Sequence, residues 1–414
     1  MSPARRTVCQ YRYVNEKVRL NIHNRRLLMN RKLRMGMVGG GRDAFIGSVH
    51  RIAAQMDGKA ELVCGAFSSS KQKSKESGKD LLLPPDRVYG TYREMFRKET
   101  KMPEEKMIDF VAVVTPNNMH YPIAMAALDA GFHVVCDKPM TMTLEEAKNL
   151  ERKIKMSKRL FCLTHNHTGN AMVKEARELV SKRKLGTIRK VVVEYPQGWL
   201  ASRQETTGNK QAAWRTDPKR AGATCCMGDI GSHCANLAEY VTGLKITEVC
   251  SDLTTFIKGR PLDDDGNVLL RFDNGARGVL WASQIALGEE NGLSIRVYGD
   301  TGAVQWRQEK PNTLLVRWNN KPAELHRTGT EFAGKAAASV TRLPAGHPEG
   351  YLEAFANIYG EFIKAVEKAA SGGKVKDSDF DYPGVKDGIR GMAFLKAVVR
   401  SSKSKEKWIK VPKS

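Results

Sequence analysis

An apolar run over residues 33–38 passes directly into Gly39-Gly40-Gly41-Arg42-Asp43-Ala44, and a helical pattern follows through Gly47, His50 and Ala53. Strand, glycine-rich turn and helix in that order describe a βα unit of a parallel sheet, and residues 39–44 match the Gly-x-Gly-x-x-Gly/Ala spacing that cradles a dinucleotide. Glycine lets the turn close and lets backbone N–H groups approach a diphosphate, while the start of the helix adds partial positive charge. Gly39, Gly41, Phe45 and Ile46 are therefore expected against the cofactor. An ordinary tight turn has the same composition, so the rest of the chain must decide.

Short unbroken apolar runs recur at residues 60–67, 110–114, 132–136 and 160–163, with amphipathic stretches such as 123–130 and 144–155 between them. Such runs suit strands buried on both faces. The expected fold is α/β: a doubly wound parallel Rossmann sheet over residues 33–166, then an α+β substrate and oligomerisation domain over 167–414. Beyond Gly186 the runs alternate, at 190–195, 268–272, 276–281, 294–298 and 314–318, with a hairpin turn at Asp273-Asn274-Gly275. They predict one large open, mostly antiparallel sheet with helices on one face. C-terminal helices are expected at 352–370 and 385–400.

The formal charge of +23 has an uneven origin, because residues 1–34 hold ten Lys or Arg against one acid, Glu16. Residues 1–32 read as a basic extension without fixed structure. No basic cluster interleaved with aromatics follows it, which argues against a nucleic-acid partner. No apolar run is long enough for a membrane helix. The eight cysteines, Cys9, Cys64, Cys136, Cys162, Cys225, Cys226, Cys234 and Cys250, lack metal-ligand or disulfide-scaffold spacing and fit a reducing, cytoplasmic setting. Cys225, Cys226, Asp229, His233 and Cys234 crowd together, but adjacent cysteines do not supply zinc geometry, and no metal is expected.

An NAD site usually has an acid after the second strand for the ribose hydroxyls. Here the strand leads into Ser68-Ser69-Ser70-Lys71, with Lys73 and Lys75 next. Ser68, Ser69 and Lys71 suit a 2'-phosphate, so NADP is preferred to NAD, although a solvated lysine-rich helix start has the same look. Thr115-Pro116-Asn117, with His120, closes one strand, and Asp137-Lys138-Pro139 closes the next. Both turns belong at the crevice that open α/β sheets form at their strand ends. Further on come Trp214-Arg215 and Gly228-Asp229-Ile230-Gly231-Ser232-His233.

Together these segments resemble the Gfo/Idh/MocA family, named for glucose-fructose oxidoreductase, inositol dehydrogenase and a rhizopine catabolism protein, from Leu33 almost to the end. The family's Glu-Lys-Pro stands here as Asp137-Lys138-Pro139, and its Asp-x-Gly-x-His-x-x-Asp as Asp229 to Asn236. If Gly47 rather than Ala44 takes the third glycine position, the glycine loop is three residues longer than the family's. The resemblance implies hydride transfer between NAD(P) and a secondary alcohol carbon of a sugar or cyclitol, with Lys138, Asp229 and His233 catalytic. It also places Thr115, Pro116, Asn117, His120, Asp137 and Lys138 near the cofactor. An imidazole such as His233 can accept the hydroxyl proton near neutral pH with little tuning, Lys138 can steady the oxygen, and Asp229 can orient the imidazole or bind a hydroxyl. His165, Asn166, Tyr195, Gln197, Trp199, Trp214 and Arg215 are candidates for a polyol pocket, where aromatic faces meet C–H surfaces. Core packing explains the tryptophans nearly as well. Competing functions are a glycosidase-type reaction through transient oxidation and a non-catalytic NAD(P)-binding regulator. A homodimer or homotetramer through the second sheet is expected.

Overall fold

The computed structural model describes residues 31–42 and 44–413, so the basic extension lies outside the described residues up to position 30. The first sheet contains β1 (Leu33–Gly39), β2 (Ala60–Ala66), β3 (Phe110–Val114), β4 (His133–Cys136) and β5 (Phe161–Leu163), in the spatial order β2-β1-β3-β4-β5. Every pairing is parallel. Successive residues of one strand enter opposite layers. Met35 and Met37 join the layer of helix Phe45–Gln55, whereas Val38, Val111 and Val113 join the layer of helices His120–Asp129 and Leu144–Ser157. This two-sided burial is what the unbroken apolar runs required. Helix Leu144–Ser157 starts where Thr143 and Glu146 form a reciprocal capping box.

The second sheet has nine strands in the order β13-β12-β11-β10-β6-β9-β8-β7-β14. They are β6 (Lys190–Pro196), β7 (Ile246–Thr254), β8 (Asp265–Phe272), β9 (Arg277–Ser283), β10 (Ser294–Tyr298), β11 (Gly302–Arg307), β12 (Thr313–Trp318), β13 (Glu324–Arg327) and β14 (Ile409–Lys410). All pair antiparallel except β6 with β9, because β6 enters the middle of the sheet from the first domain and not from a hairpin. Gly275, with φ of +90°, turns β8 into β9 as the hairpin signal required. Helices Ala171–Ser181, Ser232–Thr242 and Val385–Lys403 cover one face.

One helix of the C-terminal portion leaves the second sheet. Helix Tyr351–Ala370 packs on the first domain, where Phe355, Ile358, Tyr359, Phe362 and Ile363 share a core with Met35, Phe110 and Val49. His50 Nδ1 meets the Tyr359 hydroxyl at 2.8 Å, and Arg342 clamps Asp57 with two contacts of 2.7 Å. The strands of the first sheet lie before residue 167 and those of the second after it, while the first sheet's core is completed by a helix from the C-terminal portion.

Candidate active site

Strands β1 and β3 are neighbours whose continuations leave to opposite sides, so the loops after them part and open a crevice at their carboxyl ends. A cleft of about 1370 Å³ begins there and runs to the inner edge of the second sheet. At its floor Gly39 and Gly40 hold φ of +85° and +68°, which side chains resist. A Cβ on Gly41 would stand 2.6 Å from Ser77 Oγ and 2.8 Å from the Phe67 carbonyl. Gly47 supplies the close helix contact: its Cβ would fall 2.3 Å from the Gly40 oxygen. The third glycine is therefore Gly47 and not Ala44, and it stands in the first turn of helix Phe45–Gln55. Ala44 caps the helix without a side-chain hydrogen bond, and no acid sits in the first turn, so the leading N–H groups remain available to an anion. Ala44, Phe45 and Ile46 line the cleft beside them. Gly47→Ala is expected to weaken reduced-cofactor binding at least about tenfold, measured by fluorescence titration.

Beyond β2, Ser68 and Ser69 line the cleft together with Lys73. Lys71 is not among the lining residues; its stem lies against Gly90, and Ser70 caps the backbone there. A helix opening at Lys71 turns that side chain away and brings Lys73 round, which corrects the expectation for Lys71.

Lys138 reaches across the domains. Its Nζ donates to Asp229 Oδ1 at 2.9 Å and to the Asp229 carbonyl at 2.5 Å. The turn that carries it is fixed by Asp137, whose Oδ1 accepts from Lys138 N and from Thr164 Oγ1, both at 2.9 Å. Asp229 Oδ2 accepts from Arg215 Nε and Gln284 Nε2, each at 2.9 Å. Burial alone would push this carboxyl up, but the charges of Arg215 and Lys138 and their hydrogen bonds outweigh it and hold it well below the usual carboxylate range. Arg215 in turn lies 4.2 Å over the Trp214 ring.

Asp229 occupies a π-helical turn, Met227–Gly231, that precedes the helix carrying His233. Asp229 is held on Lys138, where the sequence left it open to orienting the imidazole or binding a hydroxyl. His233 nevertheless opens into the same cleft. Its ring is walled by His167, His165 and Tyr195, with centroids at 4.8, 5.5 and 6.2 Å. Burial, then the Lys138 charge, then the two neighbouring histidines hold its pKa well below the ordinary imidazole value. The environment thus tunes His233 strongly, where little tuning was expected, and keeps it neutral.

Thr115, Pro116 and Asn117 line the cleft, but the Asn117 amide donates to the Ala221 carbonyl at 3.0 Å and so ties the domains together. Thr115 Oγ1 and Asn118 Oδ1 are buried without a protein partner. His120 faces away, its ring nitrogens 2.7 Å from the Pro139 carbonyl and 2.8 Å from the Thr115 carbonyl. It fastens the two strand-end turns to each other and does not line the cleft, contrary to the cofactor contact expected of it. His165 likewise sits behind the wall, against His233. Asn166, Tyr195, Gln197, Trp199, Trp214 and Arg215 all face the cleft.

Two family models fit this architecture. Residues 33–167 match an oxidoreductase family with an NAD-binding Rossmann fold, and residues 173–305 match the GFO/IDH/MocA C-terminal domain. The chain belongs to the Gfo/Idh/MocA oxidoreductase family. An oxidoreductase from Sinorhizobium meliloti is 45% identical, with a TM-score of 0.82, over 92% of this chain and 100% of that one. An inositol dehydrogenase homolog from Azotobacter vinelandii, solved with NAD+, is 34% identical with a TM-score of 0.88 over 92% and 98%. A levoglucosan dehydrogenase from Pseudarthrobacter phenanthrenivorans is 26% identical over 92% of this chain and 98% of that protein.

The residues present fit a nicotinamide dinucleotide: a glycine cradle that a Cβ would fill, an uncapped helix start, and orphaned Thr115 Oγ1 and Asn118 Oδ1 near the strand ends. Sequence reasoning missed Asn291, Gln308, Gln211 and Tyr351, which also line the cleft. They lie in loops or at a helix start with no motif; the pairing of β10 with β11 brings Asn291 and Gln308 there, and two helices outside the second sheet bring Gln211 and Tyr351. Among the described residues no group of three or more His, Cys, Asp or Glu forms a metal cluster, and no helix is long and apolar enough to cross a membrane.

Proposed function

We propose that this oxidoreductase moves a hydride between NAD(P) and a secondary alcohol carbon of a sugar, sugar derivative or cyclitol. The observation that carries the reading is the meeting of Lys138, anchored on Asp229, with a neutral His233 in one cleft continuous with the glycine turn. When bound, the nicotinamide supplies the hydride acceptor, and Gly39, Gly41, Phe45, Ile46, Thr115 and Pro116 would hold the dinucleotide. Lys138 Nζ is set to donate to the reacting oxygen and to stabilise negative charge as it develops there. His233, free of a proton at neutral pH, takes the hydroxyl proton during oxidation. Asp229 keeps the ammonium in place, and Arg215 and Gln284 keep Asp229 in place. Tyr195, Trp199 and Trp214 offer ring faces, and Asn166, with Nδ2 buried and unpartnered, offers a donor to a substrate hydroxyl.

NADP is the preferred cofactor because no acid follows β2 and Ser68, Ser69 and Lys73 face the cleft there. Lys73→Glu is expected to shift the ratio of kcat/KM toward NAD by about tenfold or more, since a charge-assisted hydrogen bond is replaced by repulsion. Screening the pure protein with NAD and NADP against sugars and inositols, by absorbance of the reduced cofactor, tests the whole reading; no reduction with any of them would refute it. The uncovered face of the second sheet carries part-exposed Val192, Leu269, Val279 and Trp281, which supports pairing of subunits through it.

A further inference from the structure

Along the substrate wall runs a chain of hydrogen bonds whose direction is fixed from one end. Trp199 Nε1 can only donate, and it donates to Gln197 Oε1 at 3.1 Å. That orients the Gln197 amide, whose Nε2 donates to Asn291 Oδ1 at 2.7 Å. The Tyr195 hydroxyl donates to the same oxygen at 3.3 Å. With its proton committed there, the phenol oxygen is left to accept. Gln308 is its neighbour on the cleft wall.

Beside the end of this chain stands Gln308 Oε1, which is buried and has no partner among the described residues, although Gln308 lines the same cleft as Lys138 and His233. The backbone holds it firmly. Gln308 N donates to the Leu293 carbonyl at 2.8 Å, one step beyond the last β10–β11 pair, and Asn291 N donates to Glu309 Oε1 at 3.1 Å. A fixed, desolvated acceptor with nothing to accept from is costly unless a ligand supplies the donor. The Tyr195 ring stands 6.2 Å from the His233 ring, so one small ligand can meet both.

We propose that Gln308 determines substrate specificity, its Oε1 accepting a hydrogen bond from a substrate hydroxyl other than the one oxidised. This rests on the dehydrogenase reading above. An acceptor-only position admits a hydroxyl and rejects groups that cannot donate: hydrogen, fluorine, an O-methyl ether, a carboxylate or a phosphate.

The test compares the wild type with Gln308→Met, which keeps length and bulk without the acceptor. The substrates are the best polyol from the panel and its singly deoxygenated analogues. The wild type is expected to disfavour one analogue, deoxygenated away from the reacting carbon, by about 100-fold or more in kcat/KM. Gln308→Met should lose about 10- to 100-fold on the parent polyol, leave that one analogue unchanged, and keep its ratios for the others. Reduced-cofactor binding, followed by fluorescence, should match the wild type. Equal losses on every analogue, or no loss on the parent, would overturn the assignment of Gln308 while leaving the dehydrogenase intact. A wild type that oxidises no polyol would overturn the reading beneath it, and this proposal with it.

Discussion

Replacing Lys138 with alanine is expected to lower alcohol oxidation by at least about a thousandfold while the reduced cofactor still binds. The ammonium is the charge placed to meet an oxygen that gives up its proton, and the described cleft has no second cation held by the same carboxylate on that side; Arg215 grips the other oxygen of Asp229 and stacks on Trp214. The fold should survive, because Asp229 keeps Arg215 and Gln284 after the lysine is gone. Asp229→Asn should cost less, about a hundredfold, since the Lys138 contact to the Asp229 carbonyl persists and only the carboxylate contact is lost. Steady-state rates with the best polyol, alongside fluorescence titration of NAD(P)H, check both, and Lys138→Ala turning over at the wild-type rate would sink the assigned role.

Acid should unfold this protein at an unusually mild pH. His50 is held down to about 4, and His133, His165 and His167 to about 3, in each case first by burial. His120 and His233 are lowered for the same leading reason. In the unfolded chain a histidine titrates near 6.5, so between that value and the folded pKa the unfolded state binds more protons. The stability these groups contribute is complete above pH 6.5 and is lost as the pH falls toward 4. Each histidine costs about 1.4 kcal/mol per pH unit in that window, and four together about 5 kcal/mol, against a typical net stability of about 5–15 kcal/mol. An unfolding midpoint near pH 5 is therefore expected, measured by circular dichroism. A melting temperature that stays flat from neutrality to about pH 4.5 would contradict it.

How much was legible depended on whether a feature lay in local pattern or in distant contact. The five parallel strands were readable because burial on both faces forces continuous apolar runs, and the Lys138 turn was readable because its position at a strand end is itself topological. β7, β11, β13 and β14 passed unnoticed, since β13 and β14 are short and part-exposed, β11 is broken by polar Gln305, and β7 carries Glu248 and Asp252 on its outer side. Spacing left both Ala44 and Gly47 open as the third position, and only the contact between Gly40 and Gly47 decides between them. Spacing also left Asp229 open to orienting the imidazole or binding a hydroxyl, and only the meeting of the two domains puts it on Lys138. His120 and His165 look like site residues by position along the chain, but a side chain's direction is set by the packing of its neighbours. Gln308 and Asn291 carried no signal at all, because only the pairing of β10 with β11 delivers them to the cleft.

The helix Tyr351–Ala370 also fixes an order of events during synthesis. All five strands of the nucleotide-binding half have been made by residue 163, yet Phe110, Met35 and Val49 gain their covering layer only when Phe355, Tyr359 and Phe362 emerge much later. Until then that half carries an oily flank into the crowded space outside the ribosome. Its competence waits on residues 351–370, and a product that stops short of them would lack the layer that completes the first domain's core.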